Sequence, residues 1–265
     1  MKSSSRIRIM ENSNSLRLRV AEMIYFGGEG HIPSSFSILD IVSSVYSAFP
    51  ELGLESSKTK FVLSKGHGSA ALYVVLNSCE LLADSFISNY GKPGSRIGGH
   101  PERHVVPAIE ASTGSLGHGF PFAVGLALSA KIVEEGDAKI ICLVGDGECQ
   151  EGTIWEAAAI AANQKLGSLL VFVDWNGSAA QLQPIENLTL KWKSCGWHCL
   201  ELDGHNVDGL INFLINHDFT RDAPTVVLAK TTKGKGVSFL EGHGSWHHKL
   251  PSEGEMKLIR SELST

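Results

Sequence analysis

The chain has 265 residues, of which 43% are hydrophobic and 19% charged, with a formal net charge of −5. That length and apolar content suit one large α/β domain with an ample core, and the acidic balance leaves no electrostatic footprint for nucleic acid or an anionic membrane surface. Five cysteines, Cys79, Cys142, Cys149, Cys195 and Cys199, are few, odd in number and unpatterned, which argues for a reducing compartment over a disulfide scaffold. The basic cluster Arg6, Arg8, Arg17 and Arg19 is small and interrupted and reads as a solvated face or a disordered tip. No continuous apolar leader opens the chain and no apolar run approaches a membrane span. The expectation is a cytoplasmic protein with no nucleic-acid or membrane partner.

Residues 1–14 are polar and serine-rich and are expected to form a flexible N-terminus, with 15–265 as a single domain. Leu16, Val20, Met23 and Ile24 recur at helical spacing, which predicts an amphipathic helix over 15–26 that ends at Gly27-Gly28. Gly30-His31 follows in a loop, and a second helix is expected over Ile38–Ala48, stopping before Pro50. Phe61-Val62-Leu63 reads as the first central strand, Ser64–Ser69 as a strand-to-helix turn, and Ala70–Leu76 and Asp84–Tyr90 as helices. Gly91–Pro107, rich in Gly, Pro and His, is too long for an ordinary connection, and such loops tend to be functional. Leu116–Val133 is apolar or small almost all round and is expected to be a helix that is buried or covers an interface. Lys139–Val144 and Leu169–Val173 are apolar runs typical of buried parallel strands, with an alanine-rich helix from Glu151 between them. Helix over Glu186–Cys195, strand over Gly196–Leu202, helix over Val207–Asn216, strand over Pro224–Ala229, a glycine-lysine turn over Thr231–Val237 and a last helix near Glu253–Leu263 complete the pattern. Strands alternating with helices predict an α/β fold, a parallel sheet flanked by helices on both faces.

The chemistry concentrates at the ends of two of these strands. Gly145-Asp146-Gly147-Glu148 lies on a strand-to-helix turn, and Asn176 at the carboxyl end of the next strand, thirty positions beyond Asp146. Open α/β sheets bind ligands at that edge. A carboxylate oxygen and an amide oxygen suit Mg²⁺, which takes about six oxygens and shares them among a few protein groups, phosphate and water. Gly145 and Gly147 let the backbone approach a diphosphate and point N–H groups at it.

Gly-Asp-Gly, about thirty residues, then Asn resembles the diphosphate-binding signature of thiamine diphosphate enzymes. The segments Gly147–Gly152 with Trp155-Glu156-Ala157, Phe61–Ser69, Gly30-His31-Ile32-Pro33, Gly99-His100-Pro101-Glu102 and Thr113–Gly119 resemble, in the same order, the motifs of the transketolase family. The similarity runs from about residue 15 to about residue 250. The resemblance implies thiamine diphosphate and Mg²⁺ as cofactors, with Asp146, Asn176 and the backbone carbonyl of Ser178 as metal ligands. It implies that Gly145–Glu148 wrap the diphosphate and that Gly114-Ser115-Leu116 hold the aminopyrimidine ring. His67 and His247 would line the diphosphate and thiazolium, while His31 and His100 would reach sugar hydroxyls and the substrate carbonyl, where imidazoles move protons and polarise oxygens. Glu151 and Glu156 occupy the places of carboxylates at the family's subunit interface, near the pathway between its active sites. The alternative reading is a solvated helix start, where the dipole favours carboxylates.

Other patterns carry less. Cys195-Gly196-Trp197-His198-Cys199 and His243…His247-His248 have no second cluster to complete a tetrahedral zinc site. Lys65 and the Lys233/Lys235 turn could meet phosphates, but lysines of this kind usually meet water. The match also departs from the family. Ser178–Pro184 stands where an Asp-Gly run is usual, with the small Ala180 near the place of a larger apolar residue, and this puts packing against the cofactor and the donor side of the pocket in doubt. The length has no room for the family's pyrimidine-binding and C-terminal domains.

The resemblance therefore implies the N-terminal subunit of a split transketolase, completed by a second chain in an α2β2 assembly and acting on sugars or sugar phosphates. Two alternatives stand beside it. One is the α-subunit of a 2-oxo acid dehydrogenase, against which the Ser-Lys-Gly-His-Gly-Ser and Gly-His-Pro motifs argue. The other is a non-catalytic scaffold homologue, against which the Asp146/Asn176 pair and the histidines argue.

Overall fold

The computed structural model describes residues 11–52, 59–133, 137–181, 183–242, 246 and 249–264. Five strands, β1 (Thr59–Leu63), β2 (Lys139–Gly145), β3 (Leu169–Trp175), β4 (His198–Asp203) and β5 (Thr225–Lys230), form one sheet in the order β1-β2-β3-β5-β4 among the described residues. Every pairing is parallel, with Ile141 opposite Leu170 and Phe172 opposite Val227. All carboxyl ends therefore share one edge. The strands look uniformly apolar in sequence because both faces are buried, yet their residues divide with a period of two. Phe61, Leu63, Ile141, Leu143, Leu170 and Phe172 join one core, while Val62, Ile140, Cys142, Val144, Leu169 and Val171 join the other.

The first core is covered by α1 (Ser13–Gly27), α2 (Ile32–Leu52), α3 (Ser69–Ser78), α8 (Val207–Asn216) and α9 (Glu253–Leu263). The second is covered by α5 (Gly119–Ile132), α6 (Gly152–Asn163) and α7 (Leu188–Ser194), the short α4 (Asp84–Asn89) lying beside α3. The layered α/β architecture expected from the alternating pattern is the one observed.

Three expectations need correction. The second helix starts at Ile32, not Ile38, and runs through Pro50 to Leu52. Pro33 sits in its first turn, where a missing N–H costs nothing, and Ser34, Ser35 and Ser37 are buried although polar. This helix is also long and apolar enough to cross a membrane by composition, against the expectation that no segment approaches that length. Yet 94% of its apolar stretch is buried inside the fold, where it serves as the central core helix. The helix expected from Leu116 begins at Gly119. Gly117 has φ +78° and gives its N–H to Glu148 Oε1, so the chain cannot be helical there, and Ser64 Oγ accepts the Phe120 N–H at the true start. One side of α5 is buried, while Phe122 and Ile132 are exposed.

At the N-terminus, Asn12 caps α1 by accepting the Ser15 N–H, and Glu11 pairs with Arg19. Arg17, expected on a solvated face, is buried and paired with Asp40 of α2.

Candidate active site

The sheet edge formed by the carboxyl ends gathers most of the residues singled out in the sequence. β2 ends at Gly145 and its neighbour β3 at Trp175, so Asp146 and Asn176 emerge side by side, and the Asp146 N–H donates to the Asp174 carbonyl at 3.1 Å. The Asp146 side chain is nearly inaccessible, at 3% exposure. Its Oδ1 accepts the Gly147 N–H at 2.7 Å, while its Oδ2 is buried without a partner at normal hydrogen-bond geometry, the Ala179 backbone lying near enough only to help lower the pKa. Burial and the charge of Asp174 push the Asp146 pKa up, against the pull of Lys65. A buried carboxylate oxygen in this state has the electrostatics of a group that awaits a cation. A Cβ on Gly147 would meet no atom within 4 Å, so the space over the turn is open. Asp146 also borders a cavity of about 60 Å³ that reaches Trp175, Ala179, Ala180 and Pro184.

Asn176 is oriented by its surroundings. Its Nδ2 donates to Asp174 Oδ2 at 2.9 Å and to Ser37 Oγ at 3.1 Å, and its Oδ1 accepts the Ser178 N–H at 3.0 Å. Asp174, with no exposed surface, further accepts from Lys65 Nζ, Ser37 Oγ and Thr231 Oγ1. Lys65, expected to meet water, is only 2% exposed and forms a buried ion pair with this aspartate. Lys233 is half-buried close to Asp146, Asp174 and Lys65, and burial followed by the Lys65 charge pushes its pKa down.

Glu148, implied to touch the cofactor, turns its carboxylate inward. Oε1 accepts from Ser64 Oγ at 2.6 Å and from the Gly117 N–H at 2.9 Å, and Oε2 accepts the Gly145 N–H at 3.1 Å. Burial pushes its pKa up, opposed first by the Ser64 hydrogen bond. The side chain thus ties together the ends of β1 and β2 and the start of α5.

The histidine loops converge on the same edge. His31 precedes α2 and His67 lies in the Gly66–Gly68 turn after β1, their rings meeting edge to face at 5.5 Å. Gly66 packs so close to Thr113 and Gly114 that a Cβ there would lie 2.8 Å from the Gly114 nitrogen. His100 lies over Gly114, whose Cβ would meet its Cδ2 at 3.1 Å. The long loop that carries His100 is pinned rather than loose. Ser69 Oγ donates to the Gly99 carbonyl at 2.8 Å, Tyr73 Oη donates to the His100 carbonyl at 2.7 Å, and Glu29 Oε1 accepts the Gly99 N–H at 2.8 Å. Ser115 is exposed and Leu116 half-buried beside Gly114. Glu151 and Glu156 are exposed on and beside the first turn of α6, with the Glu151 Cβ packed against Gly117. His247 lies outside the described residues.

Sequence reasoning missed Ser37, Asp174, Thr231, Asp40 and His205. The signal for Asp174 was present, since a charged residue closing the apolar run Leu169–Val173 needs a buried partner.

A parallel α/β sheet with a buried carboxylate and an oriented amide at its carboxyl edge sets hard oxygen donors where open α/β sheets bind ligands. Residues 10–265 match the family model described as transketolase, thiamine diphosphate binding domain, and the chain belongs to that family. Among its relatives, a chain of Phocaeicola vulgatus named as a subunit of apulose-4-phosphate transketolase is 35% identical over 95% of this chain and 92% of its own length. The 6-deoxy-6-sulfo-D-fructose transketolase subunit SqwG of Clostridium sp. is 33% identical over 98% of both chains. The crystal structure of transketolase from Campylobacter jejuni superposes with a TM-score of 0.82 at 28% identity, over 99% of this chain and 43% of that one. Human transketolase is 33% identical over 97% of this chain but only 42% of its own length. The chain is thus of transketolase type, spans under half the length of these two longer relatives, and matches nearly whole the relatives named as subunits.

Proposed function

We propose that the chain is the N-terminal subunit of a thiamine diphosphate- and Mg²⁺-dependent transketolase, which moves a two-carbon ketol unit from a ketose to an aldehyde acceptor. The observation that carries this reading is the buried, unsatisfied Asp146 Oδ2 beside an Asn176 amide whose nitrogen is already engaged. Asp146, Asn176 and the Ser178 carbonyl hold Mg²⁺, an amide oxygen having two lone pairs to share. The backbone of Gly145–Glu148 approaches the diphosphate, with the half-buried Lys233 as the cation beside it. Gly114, Ser115 and Leu116 form the platform for the aminopyrimidine.

Bound thiamine diphosphate supplies the electron sink that makes cleavage of a carbon–carbon bond next to a carbonyl feasible. The chain's own share is binding, orientation and proton handling. His67, with His247 as the family resemblance places it, borders the diphosphate side. His31 and His100 face the sugar, donating to or accepting from its hydroxyls and carbonyl oxygen. Glu151 and Glu156, exposed at the start of α6, face a neighbouring protomer.

A separate chain carrying the pyrimidine-binding and C-terminal domains completes the site, in an α2β2 assembly. The naming of the two relatives above as subunits of transketolases supports this division. The substrates are sugars or sugar phosphates.

The test is gentle affinity purification of the chain from its own cells in Mg²⁺ and thiamine diphosphate, followed by assay of what copurifies. A stoichiometric second chain, bound cofactor and aldose–ketose exchange are expected. Release of CO₂ from a 2-oxo acid, or tight partner binding with no uptake of thiamine diphosphate, would overturn the proposal.

A further inference from the structure

The residues that orient Asn176 are themselves held from outside the site. Thr231 Oγ1 donates to Asp174 Oδ1, and the next residue, Thr232, donates its backbone N–H to His205 Nε2 at 2.8 Å. Nε2 accepts here, so the ring proton that faces Asp40 is on Nδ1, and Nδ1 donates to Asp40 Oδ2 at 2.7 Å. Asp40 is 2% exposed and is kept ionised by Arg17, itself 3% exposed. The imidazole is thus fixed at both ends. Its loop is seated tightly, since a Cβ on Gly204 would lie 2.4 Å from Thr231 Cγ2. Ser37 and Asp40 are one turn apart on α2, so the same helix reaches this corner twice, once directly through Ser37 Oγ to Thr231 Oγ1 at 3.2 Å and once through His205.

We propose that His205 is a positioning residue for the cation site. It clamps the Thr231–Thr232 corner so that Thr231 stays hydrogen-bonded to Asp174, and Asp174 in turn holds the Asn176 amide by its nitrogen, so that the oxygen would be left to ligate the metal. This rests on the reading of Asp146 and Asn176 as Mg²⁺ ligands. Removing the acceptor at Nε2 strands the Thr232 N–H, loosens the corner and withdraws one donor from Asp174. Outer hydrogen-bond partners of this kind shift metal affinity by about 10–100-fold.

The two amide replacements separate this role from simple packing. Gln places an acceptor where Nε2 was, within reach of Thr232. Asn places a donor where Nδ1 was, within reach of Asp40. In the assembled complex, thiamine diphosphate retained after equilibrium dialysis is measured against graded Mg²⁺. His205→Asn is expected to raise the half-saturating Mg²⁺ by about tenfold, and His205→Gln to restore it to within about threefold of the wild type. At saturating Mg²⁺ the ketose KM is unchanged in both. Thr231→Val, which keeps the side-chain shape, is expected to give a rise like that of His205→Asn, and the double variant no more than the larger single effect, because both cut one connection. It carries the same prediction should His205→Asn not assemble. Unchanged Mg²⁺ dependence in His205→Asn, equal shifts with Asn and Gln, or additive shifts in the double variant would overturn the proposal. A wild-type complex that retains no thiamine diphosphate at any Mg²⁺ concentration would instead overturn the reading of the site, and the clamp with it.

Discussion

Asp146 and Asp174 leave neighbouring strands of one sheet, are almost equally buried at 3% and 0% exposure, and are treated in opposite ways. Asp174 accepts from Lys65, Ser37, Thr231 and Asn176. Asp146 has one oxygen on the Gly147 amide and the other buried without a well-formed hydrogen bond. Burial of a carboxylate alone therefore does not mark a ligand. What separates the two aspartates at this edge is whether the protein answers the charge itself, and the proposed cation site lies where it does not. It does so for Asp174 at the cost of burying a lysine, and the bare oxygen of Asp146 stays available because its neighbour has taken that lysine.

The largest effect should come from undoing the answered charge. Asp174→Ala leaves Lys65 buried without a counter-charge, a change worth about 3–5 kcal/mol of stability, read as a lower urea midpoint with unchanged slope. Asp146→Asn should behave oppositely. With neither Mg²⁺ nor thiamine diphosphate its stability is expected to equal or exceed the wild type, because a repulsion with Asp174 is relieved. The stabilisation that ligand confers, about 2.7 kcal/mol at a hundredfold excess over Kd, should vanish from its thermal melts. If Asp146→Asn loses stability without ligand as Asp174→Ala does, the two aspartates are not different in kind.

The same logic covers Asp40, a buried carboxylate whose charge is answered at Oδ2 by Arg17 and His205, although its Oδ1, like Asp146 Oδ2, is buried without a hydrogen-bond partner. Burial pushes its pKa up, but the His205 hydrogen bond and Arg17 outweigh it and hold the group below its ordinary 3.8. A depressed carboxylate stabilises the fold fully above its unfolded pKa, and that contribution disappears as pH falls through the lower folded value. Asp40→Asn is therefore expected to cost about 1–3 kcal/mol at neutral pH and to flatten the loss of stability below about pH 4. A wild-type slope in the variant would show that Asp40 is not ionised in the fold.

The answered charges were the part least legible in the sequence. Asp146 and Asn176 could be placed because each follows an apolar strand, and the strand-to-edge relation is local. Glycine-flanked His31, His67 and His100 could be grouped through resemblance to an ordered set of motifs. Lys65 sits in one of those motifs, yet its burial depends on Asp174, 109 positions away. Arg17 meets Asp40 across 23 positions and His205 meets Asp40 across 165. No window of sequence contains such pairs, and a lone Arg or Lys reads as solvated because most are. The early start of α2 was hidden for a related reason. Its serines look like a loop until Ser37 is seen facing Asp174, where a hydroxyl is required.

The smallest effect, and the sharpest control, lies at the opposite edge of the sheet. His217 follows α8, which returns the chain toward the amino ends of the strands, and its ring packs against Phe213 and Phe219 at centroid distances of 5.2 and 4.6 Å. Burial, then the charge of Arg221, lowers its pKa from 6.5 to about 4. Between these values the unfolded chain binds the proton and the folded chain does not, so stability falls as pH drops through that window and changes no further from this source below it. His217→Leu should remove up to about one proton from that slope, seen in urea unfolding across the window, while stability at pH 7 stays within about 1 kcal/mol. No carboxylate needs answering there, and an apolar side chain serves as well as a neutral imidazole. The Mg²⁺ dependence of thiamine diphosphate retention should accordingly not move. A shift in it would mean that the aromatic packing under α8 reaches the carboxyl edge, and that the charged network there is not the only thing holding Asn176 in place.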